Sequence, residues 1–269
     1  MPDLSRRRFL GTAAVGTIGA VGALYGASSN ELQVTTHTHP MAPGAPPLRL
    51  AVLTDMHSPH DYVEGKRLIA AVRRFQPHLI AIAGDAVDQR GHEHHVDFYG
   101  ALEAPLGKFA TLGNWEYQGL CDLSALKQHY DRAGVRLLVN DALRLNVDGA
   151  PIDLVGLDDW RAGLPDYGLL ERLPADPGRT IVMSHCPVTF DAIKQVATRP
   201  SLTVAGHTHG GQIAPFGLAI LVPEGSGPYV KGWYEGPNSH AMYVSRGLGN
   251  SGIPVRIGSR PELVLITVT

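Results

Sequence analysis

Five short strings stand directly after apolar runs: Asp55-Met56-His57, Gly84-Asp85, Gly113-Asn114, Ser184-His185 and Gly206-His207-Thr208-His209. Carboxylate, amide and imidazole groups are the oxygen and nitrogen donors that hard-to-borderline divalent cations prefer. One such dipeptide alone reads as a turn or a cap. Five in succession read as one metal site gathered from distant parts of the chain. The 13 His against 2 Cys point to imidazole chemistry, and Cys121 and Cys186 lack the spacing of a zinc ribbon or a disulfide framework.

Strands have to deliver those groups. Leu48–Thr54, Leu79–Ala83, Lys108–Leu112, Arg179–Met183 and Leu202–Ala205 are short apolar runs, and each of the five strings follows one of them. Further strands are expected at Arg136–Val139, Leu143–Val147, Ile152–Val155, Ala241–Ser245 and Leu263–Val268. Helical spacing marks Tyr62–Phe75, Phe98–Leu106, Asp122–Ala133 and Val188–Val196, with Asp122 a cap and Gly134 a stop. Strands alternating with helices, then a strand-rich second half, predict a layered α/β sandwich of two mixed sheets. In such sheets ligands bind beyond the carboxyl ends of the strands, where all five strings fall.

The order D-x-H, G-D, G-N, H, G-H-x-H resembles the calcineurin-like metallophosphoesterase family over Leu48 to Thr269. The strings GHTHGGQ (206–212) and SRGLGNSGIPVRIGSRPELVLI (245–266) are similar to a bacterial branch of exported or membrane-associated phosphoesterases. The resemblance implies a four-layer αββα fold and two divalent metal ions. Asp55, His57 and His209 would hold the first metal, Asn114, His185 and His207 the second, and Asp85 would bridge them. Asp85, Asn114 and His207 are the expected catalytic positions, around a metal-bridging hydroxide that attacks the phosphorus. Such donors accept Mn, Fe, Zn or Co, and sequence does not choose among them.

One position departs from the family. Its third motif is commonly G-N-H-[DE], whose His protonates the leaving oxygen, but here it reads Gly113-Asn114-Trp115-Glu116. Indole has no proton of useful acidity. The expected substrate is therefore a phosphodiester or pyrophosphate, with phospholipids and nucleotide-sugar lipids among the candidates. Related UDP-diacylglucosamine pyrophosphatases also lack that His. Trp115 itself stacks on a base, lines an acyl groove or fills core. The alternatives are a phosphomonoesterase with another acid and an idle phosphate-binding module. Asp159, beside Asp158, and Arg246 are candidate substrate contacts, their competing readings being a supporting or turn role. His92, His94 and His95 read as exposed loop rather than a third metal site, and Cys186 as structural.

Length and charge bound the rest. The 269 residues are 44% hydrophobic with a formal net charge of -2, which excludes wholesale disorder and gives no basic excess for nucleic acid. Ser5-Arg6-Arg7-Arg8-Phe9-Leu10 precedes a Gly/Ala-rich stretch, the pattern of a twin-arginine export signal or an uncleaved anchor over 1–28. That predicts use of the twin-arginine export machinery and a place in the periplasm or on the outer face of the cytoplasmic membrane, with membrane association open. Residues 29–47 read as a polar linker with His37 and His39 solvated, leaving 48–269 as the metallophosphoesterase domain.

Overall fold

A computed structural model describes residues 31–40, 46–57, 62–88, 90–174, 179–196 and 200–269. The export and anchor readings on 1–28 lie outside them. The first sheet holds β1 (Gln33–His39), β2 (Leu48–Leu53), β3 (Leu79–Ala83), β4 (Lys108–Thr111), β5 (Val135–Leu137) and β12 (Glu262–Val268), in the order β1-β12-β2-β3-β4-β5. The second holds β6 (Asp141–Val147), β7 (Ala150–Gly156), β8 (Thr180–Met183), β9 (Leu202–Ala205), β10 (Gly232–Glu235) and β11 (Ala241–Val244), in the order β10-β11-β9-β8-β7-β6. Strands β2 to β5 are mutually parallel, as are β7, β8, β9 and β11, so each sheet is mixed only toward its edges.

Side-chain alternation along the strands separates two kinds of core. Leu48, Leu50 and Val52 of β2 meet Leu154, Ile181 and Val204 between the sheets. Ala51 and Leu53 face the other way, onto Leu68 and Val72 of α1 (Tyr62–Phe75) and, past the short α2 (Asn114–Gln118), onto Leu126 and Tyr130 of α3 (Leu123–Arg132). The outer face of the second sheet is covered by Leu170 of α4 (Gly168–Glu171) and Ile193 of α5 (Thr189–Ile193). Helices outside, two sheets inside: the layers are αββα. At α3 the Asp122 carboxylate accepts from the backbone N–H of Ser124 and Ala125, the cap expected from its sequence.

Two readings need correction. Residues 33–39 are a strand rather than a linker: β1 pairs in parallel with β12, from Gln33↔Glu262 to His39↔Val268. Its β-branched Val34, Thr35, Thr36 and Thr38 supply strand propensity that the polar composition masked. His39 is buried, its Nε2 2.9 Å from the Ser201 carbonyl oxygen and its ring stacked on Trp233 at 5.2 Å. His37 is half-buried between Trp233 and Tyr243. The helix expected at Phe98–Leu106 lies earlier, as a 3-10 helix over Glu93–Ala101, because Pro105 disfavours a helical Ala104.

Candidate metal centre

All five strings emerge at one end of the sandwich. The Asp55 N–H donates to Gly84 O at 3.1 Å, the His57 N–H to Asp85 O at 3.1 Å, and the Gly206 N–H to His185 O at 3.1 Å. Asp55, His57, Asp85, His207 and His209 all take left-handed backbone angles, with φ between 46° and 73°. Such angles cost energy in residues with a Cβ and cluster where function requires them. Gly113 and Gly206 explain their own places. A Cβ at Gly113 would collide with the Asp85 carboxylate, and one at Gly206 with Thr54 and Asp55, so the strand ends converge only if these two stay glycine.

Two groups of donors result: Asp55, His57 and His209, and Asp85, His185 and His207, the donor atoms of each lying within 4.8 Å of one another. Asp85 Oδ2 is 3.1 Å from His185 Nε2 and 3.6 Å from His57 Nε2, so one carboxylate oxygen faces both groups. His57 Nε2 and His209 Nε2 are 3.0 Å apart, and His207 Nδ1 is 3.1 Å from His185 Nε2. Asn114 Oδ1 is buried and accepts no hydrogen bond among the described residues. A buried amide oxygen without a donor beside converging imidazoles and carboxylates is what a divalent cation satisfies. The residues fit two such ions.

Burial and mutual charge set the protonation of these donors. Burial pushes Asp85 up, but the charges of His185 and His57 outweigh it and hold the carboxyl at about 2. Burial opposes a charge on His185, yet Asp85 keeps its pKa well above the ordinary value. Burial, then the charge on His185, lowers His207 to about 4, and burial also lowers His57 and His209. Neutral imidazoles are the form that binds metal.

The two groups differ in what stands behind them. His185 Nδ1 lies 2.9 Å from Ala83 O and His207 Nε2 lies 2.7 Å from Glu224 O. Each ring then donates its N–H to a carbonyl and turns its other nitrogen toward the site. His209 Nδ1 instead lies 3.0 Å from Nη2 of Arg256, a fully buried guanidinium. Arg256 also donates to the carbonyls of Arg246, Gly247, Gly249 and Ser259, which ties the loop after β11 to the site. Under the bridging position, Glu116 accepts the backbone N–H groups of Asp85, Ala86, Val87 and Gly113 at 2.7 to 3.3 Å. Arg256 and Glu116 were missed as working residues. The signal for each was a charged residue inside a motif string, Arg256 in PVRIG and Glu116 in GNWE.

A cleft of about 530 Å³ opens over Asp85, Asn114, His207 and His209, with Trp115 and Arg161 in its wall. Trp115 donates its indole N–H to Ser251 Oγ at 3.3 Å and sets its ring edge-on to His57, so it is wall and not core. Arg161 was not anticipated. The other candidate contacts lie elsewhere. Arg246 is engaged by Glu262 and Gln33 and does not line the cleft. Asp159 accepts the N–H groups of Arg161 and Ala162 and the Cys186 thiol, so it shapes the turn that presents Arg161. Asp158 takes the Tyr117 hydroxyl and the Leu164 N–H. His92, His94 and His95 pack ring to ring at the start of the 3-10 helix, away from the cleft lining.

The calcineurin-like phosphoesterase family model matches residues 48–211, a span that holds all seven converging residues. The chain belongs to the calcineurin-like phosphoesterase family. It is 32% identical over its whole length to the uncharacterized metallophosphoesterase YkuE of Bacillus subtilis, covering 99% of that protein. It is 31% identical to the uncharacterized metallophosphoesterase Cj0846 of Campylobacter jejuni and 28% to a bovine transmembrane protein with metallophosphoesterase domain. The matches take in 82% and 94% of this chain but only 59% of each of those relatives. Among solved structures, NAD nucleotidase of Haemophilus influenzae shares the fold, with a TM-score of 0.52 at 15% identity over 74% of this chain and 50% of that one. As a metallophosphoesterase the chain is a hydrolase of phosphoester bonds, and the two donor groups match the two divalent metals typical of the family.

Proposed function

We propose that this metallophosphoesterase cleaves phosphodiester or pyrophosphate bonds whose leaving groups depart without protonation. The observation that carries this is the lining of the cleft. Trp115 and Arg161 stand beside the metal-facing residues, and the described lining adds no other group that could donate a proton near neutral pH. Bound at Asp55, His57 and His209 and at Asp85, Asn114, His185 and His207, divalent cations would supply Lewis acidity toward the phosphoryl oxygens and activate water. The remaining work falls to the chain. Arg161 offers a cation to the phosphate, Trp115 a flat apolar wall to the leaving group, and Glu116 and Arg256 hold the ligand loops in their strained geometry.

The test is a leaving-group series on the Mn-loaded chain. Aryl diesters such as bis-para-nitrophenyl phosphate and pyrophosphates should turn over far faster than alkyl monoesters, with a steep dependence on leaving-group acidity. A shallow dependence, or faster monoesters, would refute the reading. We also infer export by the twin-arginine route from Arg6 and Arg7. Replacing both by Lys should hold active precursor in the cytoplasm, and unchanged export would overturn that inference.

A further inference from the structure

The lip of the cleft is built unlike the rest of the surface. Residues 210–223 and 247–255 contain no charged side chain. Of the eleven large apolar side chains exposed among the described residues, six lie in these two segments: Phe216, Leu218, Ile220, Leu221, Ile253 and Val255. The first four are 69 to 81% exposed. The segments are stitched together, since Gln212 donates to the carbonyls of Ser251 and Ile253 and Ile213 bridges to Ile257. Ile220, Leu221 and Ile253 also line the cleft, so the apolar lip is continuous with the wall beside the metal ligands. A contiguous exposed apolar patch next to a site marks an interaction surface. Cations flank it: Lys231 donates to the Gly217 carbonyl within the lip, and Arg161 sits in the cleft.

The path of the chain says what the lip meets. β1 begins at the metal end of its sheet, where Gln33 donates to Pro261 O and receives Arg246, whose carbonyl is held by Arg256 behind His209. Only residues 29–32 separate the apolar run ending at Ser28 from Gln33. At full extension the five steps from Ser28 to Gln33 reach no more than about 18 Å. The described chain therefore begins at the end of the molecule that carries the apolar lip, shortly after an apolar run in the sequence. We propose that this end docks on a lipid bilayer, the lip entering the interface so that the cleft meets phosphodiesters embedded in the membrane. This names a substrate class for the hydrolase reading above and rests on it.

The experiment gives the full, Mn-loaded chain one aryl leaving group in two settings. One is bis-para-nitrophenyl phosphate in solution; the other is phosphatidyl-para-nitrophenol in vesicles of phosphatidylcholine with a minority of phosphatidylglycerol. The variant carries Phe216→Asn and Leu218→Ser. Neither residue lines the cleft, and Asn tolerates the left-handed angle of Phe216. Losing two inserted apolar side chains should lower the vesicle rate by about tenfold or more. The solution rate should stay within about twofold, as for surface substitutions generally. An unchanged vesicle rate would overturn the docking, as would a dimer in the wild type that the variant dissociates, because a second copy would then cover the lip. If wild type leaves both aryl diesters intact, the diester reading has failed. Docking is then judged by quenching of tryptophan fluorescence by brominated phosphatidylcholine: stronger quenching in wild type supports it, and equal quenching refutes it.

Discussion

The two donor groups have nearly the same contents and opposite surroundings. His185 and His207 are each backed by a carbonyl oxygen, from Ala83 and Glu224, while His209 is backed by the guanidinium of Arg256. A carbonyl accepting the far N–H makes an imidazole a better donor, and a buried cation at that place makes it a poorer one. The Asp85 side of the centre should therefore grip its ion firmly and the Asp55 side hold its ion loosely. An ion held loosely there would be the stronger Lewis acid, which would divide anchoring from activation.

Removing the shared element tests that division most severely. Asp85→Asn keeps the shape but removes the charge that faces both groups, and activity should fall on the order of a thousandfold. Metal analysis of the purified variant should find less than the wild-type complement, with the loss on the Asp55 side. Full metal content with wild-type turnover would exclude Asp85 as the bridge. Next in size is Trp115→His, which puts a proton donor with an ordinary pKa of about 6.5 on the cleft wall. Alkyl esters should gain roughly a hundredfold while aryl diesters change little. No gain for slow leaving groups would mean that proton donation does not limit them.

Legibility in the sequence fell from the centre outward. The strands that end at the centre are short, apolar and buried on both faces, and the ligands stand at their ends, so fold class and all seven converging residues could be read from the chain. What supports them could not. Arg256 acts through carbonyls of residues 246 to 259, and no local pattern shows that a loop will wrap a guanidinium. Arg246, eligible by type, is spent on Glu262, a contact set by the pairing of distant strands. β1 was hidden because an edge strand with polar alternation reads like a linker until its partner β12 is known.

The difference between the half-sites can be sharpened directly. Graded chelator should strip wild type in two steps, the Asp55 side first. Arg256→Gln keeps amide donors for the loop carbonyls but removes the charge facing His209. The two steps should then approach one another by about tenfold in chelator concentration. Simultaneous loss of both ions from wild type would show that the backing groups do not set affinity.

The smallest effect lies at the opposite end of the sandwich, where buried histidines have no ions to hold. His240 is 2% exposed, shares a 2.9 Å hydrogen bond with Thr203 Oγ1, and precedes β11 at the end remote from the cleft. Burial first, then the charges of His39 and Lys194, lowers its pKa from 6.5 to about 4. A histidine lowered on folding binds more protons when unfolded, so its contribution is intact above pH 6.5 and is lost as pH falls toward 4. The shift corresponds to at most about 3 kcal/mol. His240→Gln should flatten the decline of Tm between those two pH values, measured in chelator so that the metal centre contributes equally to both proteins. Parallel curves would place the acid sensitivity among the histidines of the centre, and would erase the distinction between imidazoles buried to bind and imidazoles buried to pack.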